Sequence, residues 1–227
     1  SEINSNLGGE SGNILITATE SVATGKISTN GGDKSGGVEI NAFTGGAGTE
    51  FVIGGSGSET NGVNGPIVTG STTGGGTLNN FITGGIFITN GNTGSTAGIR
   101  LKAMSDIQVR ASSSRSGIIH LNARGGKIKL PAGELNTDGI GNSGAGIIIL
   151  AADIVQAPDG AVLTAKQTDT AAPSFHTVMI SARRIEFGGT GLTIQADGKG
   201  LFSSTLGNSS VSLFPKGGLA FSSNANY

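Results

Sequence analysis

A short rung recurs along this chain: a small residue or glycine, then alternating apolar residues, closed by alanine. It reads GNILITA (Gly12–Ala18), GGVEINA (Gly36–Ala42), AGIRLKA (Ala97–Ala103), SGIIHLNA (Ser116–Ala123), AGIIILA (Ala145–Ala151) and TVMISA (Thr177–Ala182). Alternation at period 2 marks an extended strand, whose successive side chains leave opposite faces. A second strand follows almost every copy, as at Ile107–Val109, Lys127–Leu130, Asp153–Val155 and Arg184–Phe187. A glycine-containing corner then leads to a third, at Ala161–Ala165 and Leu192–Ala196.

This unit predicts an all-β fold: a parallel β-helix, or β-solenoid, with roughly three short strands per coil. One coil cannot bury its inward face alone. Stacking coils at about 4.8 Å pairs each strand with the next and closes a continuous core. A β-sandwich would need hairpin signals and would not explain the copied unit. No apolar residues sustain a helical period. The reading treats 1–227 as a single domain, with 43–80 as an irregular coil or extended loop and 201–227 as a terminal rung or cap.

Composition narrows the alternatives. Glycine accounts for 42 of 227 residues, but proline for only 5, and no Gly-X-Y period occurs, which excludes collagen. No apolar run reaches the roughly 18 residues of a membrane-spanning helix. Cysteine is absent, so disulfides and thiolate chemistry are excluded. Trp is absent and Tyr occurs once, a composition that argues against nucleic-acid stacking surfaces and aromatic sugar platforms. The chain opens Ser-Glu-Ile rather than with Met, which reads as a processed product.

The units SGNILITATESVATGKISTNGG and SGGVEINA resemble the repeats of filamentous-haemagglutinin-like exoproteins, which the two-partner secretion route exports. The resemblance covers most of the chain. It implies a right-handed parallel β-helix, a secreted or cell-surface location on a bacterium, and an adhesive or matrix role.

Two groups of residues are candidate sites. Residues 1–98 carry a net charge of −5 and residues 99–130 one of +6. Strand parity turns Arg100, Lys102, Lys127 and Lys129 outward, and with Arg110 and Arg124 they form a candidate polyanion- or partner-binding band. The plainer reading is a solvated face that keeps sheets from aggregating. The second group is a candidate assembly face: Leu15, Ile118, Ile148, Leu150 and Met179 point outward if Ile16, Leu121, Ile149 and Ile180 point in. It would be covered by the chain's own loop or by another subunit.

Catalytic signals are poor. His120 and His176 stand alone, the acids are dispersed one per unit, and Asp138 with Asn136 and Asn142 makes only a weak Ca²⁺ loop. The sequence therefore predicts no enzyme, no catalytic residue, no cofactor and no metal. The expected function is an extracellular structural or adhesive module. The alternatives are a self-assembling filament or matrix subunit and a polysaccharide-active or polysaccharide-binding β-helix. Expected partners are further copies of the chain or host-surface glycans, not nucleic acid.

Overall fold

A computed structural model describes residues 1–6, 11–31, 35–42, 48–55, 57, 59–71, 84–110, 117–139, 146–166, 176–189, 191–197, 199–206, 211–215 and 219–221. In chain order the strands are β1 (Ile3–Asn4), β2 (Ile14–Ala18), β3 (Ala23–Thr24), β4 (Ile27–Gly31), β5 (Val38–Ala42), β6 (Glu50–Ile53) and β7 (Gly62–Val63). Next come β8 (Ile67–Ser71), β9 (Ile86–Asn90), β10 (Gly98–Leu101), β11 (Ile107–Arg110), β12 (Ile118–Lys129), β13 (Gly133–Asn136) and β14 (Ile147–Ala157). The last are β15 (Ala161–Ala165), β16 (His176–Phe187), β17 (Leu192–Ala196), β18 (Lys199–Leu206), β19 (Val211–Pro215) and β20 (Leu219–Phe221). One 3-10 turn, Met104–Asp106, precedes β11.

The protein is all-β, and every strand pair among the described residues is parallel. The pairs join strands of successive passes of the chain. A first row runs β2, β5, β9, β12, β14, β16, β18, β20. A second row runs β3, β7, β6, β10 and continues through the C-terminal halves of β12, β14 and β16. A third row comprises two sheets, β1-β4-β8-β11 and β13-β15-β17-β19.

Register explains the core. Ile14, Val38, Ile86, Ile119, Ile148 and Val178 align across the first row, as do Ile16, Ile40, Ile88, Leu121, Leu150 and Ile180. Apart from the half-buried Ile14 and Ile16, all of these are buried. Each such side chain contributes about 1.5–3 kcal/mol relative to exposure. Ala18 faces Ala42, and Ala123 faces Ala152 and then Ala182, which keeps this corner narrow.

Strand β9 breaks the alanine habit at Asn90, which faces Ala42 and is 1% exposed. Its amide Nδ2 donates to the Thr49 carbonyl at 3.0 Å and to the Gly98 carbonyl at 2.7 Å, while its Oδ1 accepts from the Asn92 N–H. A buried amide survives because its hydrogen bonds are made. In the third row, inward Thr29 and Thr69 use the same device, donating to the carbonyls of Gly36 and Gly84.

Glycine is required where strands meet most closely. At Gly98, with φ +143°, an added Cβ would lie 1.9 Å from the Lys127 carbonyl oxygen. At Gly126 it would lie 2.4 Å from the Ala97 oxygen.

Three sequence assignments need correction. AGIRLKA does not lie over the other rungs: β10 pairs with β6 and with the second half of β12, and Ile86–Asn90 takes the first-row place. Ile107–Val109 belongs to the third row, paired with β8. Any strand with one inward face reads alike in sequence, so its row depends on its partner. Finally, AGIIILA is framed one residue off, because Ala152, not Ala151, faces Ala123. Within 43–80 the described residues include β6, β7 and β8, and the second row there holds two strands, β6 and β7, from one pass. Residues 72–80 lie outside the described residues, as do 222–227; between 201 and 221 the backbone forms the end of β18, β19 and β20.

Candidate functional site: a charged band and a break in the third row

The predicted cations lie on the outside of the second row. Register sets Arg100 beside Val52 and Lys129, and Lys129 beside Gln156, which faces Glu186. Acids from distant segments reach them. The Arg100 Nε donates to Glu50 Oε2 at 2.5 Å, and Lys129 Nζ lies 2.7 Å from Glu50 Oε1. Lys102 Nζ lies 2.9 Å from Glu59 Oε1. Further along, Glu186 accepts from Gln156 Nε2 and pairs with Arg184.

Asp153 takes a two-pronged hydrogen bond from Arg183, at 2.7 and 2.9 Å. That bond holds its carboxyl below the usual range, against a smaller opposing effect of burial. Arg124 and Lys127 have no ion-pair partner among the described residues. Arg110 joins the backbone ladder with Gly70, and its side chain lies outside the described residues. The band is therefore a set of paired charges, in which Arg100 and Lys129 share the one carboxylate of Glu50 and Lys102 pairs with Glu59. Sequence reasoning missed Glu50 and Glu59 as partners, because they sit in the segment read as irregular.

The proposed assembly face needs correction. Ile148 and Leu150 are fully buried and belong to the core. The run Ile147–Leu150 is apolar on both sides, so alternation could not tell the frame. The outward residues are Ile147 and Ile149, both half-buried. Register aligns Phe87, His120, Ile149 and Met179 along the outside of the first row, with Ile118 beside Ile147. Leu15, at 67% exposed, lies beside Glu39, which faces Phe87. Phe87 meets His120 edge to face, with centroids 6.0 Å apart. Burial pushes the His120 pKa down, and the Arg124 cation pushes it further. His176 lies at the start of β16, and its side chain is outside the described residues.

Between β11 and β13 the third row is interrupted and leaves a cleft of about 410 Å³. Met104 and Ile107 form its floor, and Glu134, Asn136 and Asp138 stand on one wall. The Asp138 Oδ1 accepts from Thr164 Oγ1 at 2.7 Å and from the Lys166 N–H at 2.5 Å. Glu134 Oε1 accepts from Asn136 Nδ2 at 2.6 Å. A second depression, at the outer corner of the second row, is lined by Lys129, Gln156, Pro158, Glu186 and Phe187. Among the described residues, no three His, Cys, Asp or Glu side chains gather as a metal site would need. No helix among them is long and apolar enough to cross a membrane.

The fold and these surfaces define an all-β protein of parallel strands with a charged outer band and, among the described residues, a cleft between β11 and β13. No family model matches the chain, and no curated protein or solved structure matches it either.

Proposed function

We propose that this chain is a right-handed parallel β-helix serving as a structural or adhesive shaft module of an extracellular exoprotein, of the filamentous-haemagglutinin-like kind that its repeats resemble. The observation that carries the reading is the inward ladder of Ile, Leu, Val and Ala, which continues in register from pass to pass. A core built this way grows by adding passes, and each pass depends on its neighbours alone. Such a molecule gains length and stiffness without a central cavity. The outer charges support the same role. Glu50 pairs with both Arg100 and Lys129, and Glu59 with Lys102, bracing neighbouring passes.

The coil is tested by cysteine pairs, since the chain has no cysteine to interfere. Asn41→Cys with Thr89→Cys, and Thr89→Cys with Asn122→Cys, occupy register positions on adjacent passes and should form disulfides on mild oxidation. Asn41→Cys with Asn122→Cys, one pass further apart, should not. Equal oxidation of all three pairs would overturn the coil. The role is tested separately, by antibody labelling of intact source cells and by binding of fluorescent protein to host-cell layers. Signal confined to the cell interior, together with absent host binding, would overturn the extracellular adhesive reading.

A further inference from the structure

Over four successive strands, β9, β12, β14 and β16, the outward residues of the first row include no Asp, Glu, Lys or Arg. Phe87, His120, Ile149 and Met179 form one column, and Ile118 and Ile147 stand beside it toward the strand starts. All six are half-buried. The next column, toward the strand ends, is Thr89, Asn122, Ala151 and Ser181. Charge returns at the corner with the second row. There Arg124, Asp153 and Arg183 directly follow the aligned alanines Ala123, Ala152 and Ala182. Arg124 is exposed and has no ion-pair partner among the described residues. Asp153 is bound by Arg183, but each carboxylate oxygen has a second lone pair to offer. An uncharged centre holding Phe and Met, with charges at its rim, is the composition of an interface.

The pattern is complementary to itself about one axis. A two-fold axis along the strands, between β12 and β14, sets β12 against a second copy's β14 and β9 against its β16. Ile118 then meets Ile147, His120 meets Ile149, Phe87 meets Met179 and Arg124 meets Asp153, each pair occurring twice. Sulfur beside an aromatic ring is itself a favourable contact. At the rim, Glu39 on β5 comes opposite β18, whose first residue is Lys199. A two-fold axis along the stack, centred on the His120 column, would instead set polar Asn122 against Ile118.

We propose that two copies of this chain associate face to face through this surface, with their stacking directions antiparallel and Arg124 of each paired with Asp153 of the other. The pairing uses the register of the first row alone and is independent of where the protein acts. Two sheets packed this way lie about 10 Å apart with their strands within about 30°. Six strands, β5 to β18, at about 4.8 Å, each presenting about five residues at about 3.3 Å, offer on the order of 500 Å² per copy. The two faces together bury about 1,000 Å², the size of a weak, reversible contact.

The test is sedimentation velocity on the full chain, from micromolar to near-millimolar concentration. The 22.4 kDa monomer should pass reversibly into a dimer. Ile149→Lys should stay monomeric at every concentration while keeping its melting curve. If it melts early, the smaller change Ile149→Thr should weaken association in the same direction. Arg124→Asp and Asp153→Arg should each weaken the dimer roughly tenfold, since each sets like charges together twice. An equimolar mixture of those two variants should recover it, because both contacts of the mixed dimer again join opposite charges. A monomer throughout, as coverage of this face by the chain's own loops or an unrelated partner would give, would overturn the proposal. So would Ile149→Lys dimerising like the parent, or a mixture no tighter than either variant alone.

Discussion

Leu150 and Ile149 are neighbours of similar size, and the fold predicts opposite consequences for truncating them. Leu150 is fully buried between Leu121 and Ile180 in the inward row. Leu150→Ala removes its transfer free energy and leaves a cavity that neighbouring passes cannot fill. The expected cost is about 3 kcal/mol. For a chain of this size that lowers Tm by roughly 6–12 °C. Ile149 faces outward beside His120 and Met179 and is half-buried. Ile149→Ala should cost about 1 kcal/mol or less. The lysine versions sharpen the contrast: Leu150→Lys would bury an unpaired charge and abolish folding, whereas Ile149→Lys should remain soluble and folded. Circular dichroism melts of the four variants decide the matter. A larger loss for Ile149→Ala than for Leu150→Ala would refute the frame of β14 and the core built on it.

Three further outcomes follow. Asn90→Ala strips the buried Gly98 carbonyl and the part-buried Thr49 carbonyl of the Asn90 donor and should cost about 1–3 kcal/mol in urea denaturation, with the m-value unchanged. Glu50→Gln releases Arg100 and Lys129; those side chains are 34% and 39% exposed, so stability should change by less than about 1 kcal/mol while heparin retention at low salt rises. Unchanged retention would mean that the band is not held in check by Glu50. His120 has its pKa lowered in the fold, so the unfolded chain binds its proton first. Stability should therefore be full above the unfolded value of about 6.5 and decline as pH falls through it. His120→Gln should flatten that decline between about pH 7.5 and 5; an unaltered profile would refute it.

The alternating rungs and their closing alanines were enough to predict parallel strands with an inward apolar ladder. Val38–Ala42 and Ile118–Ala123 show why: a polar residue on every second position, Glu39 or His120, fixes which side is wet. Where that marker is missing, alternation is silent. Ile147–Leu150 has no polar residue, so only register against Ile119 and Leu121 turns Ile148 and Leu150 inward. The row of each rung was equally hidden. Gly98–Leu101 has the pattern of a first strand, yet its partners Phe51 and Ile128 place it in the second row.

The basic cluster at 99–130 was legible as composition, but its electrostatics depend on Glu50, which meets Arg100 from 50 residues away. The cleft was not legible at all. Its lining comes from Met104–Val109 and from Glu134, Asn136 and Asp138, segments that meet only in the folded chain. Sequence alone determined the pleat, the apolar face and the need for glycine at the bends, because those are set by a residue and its near neighbours. Tertiary structure decided the row, the frame of the doubly apolar strand, the charge pairing and the break, because each is a contact between segments that only folding brings together.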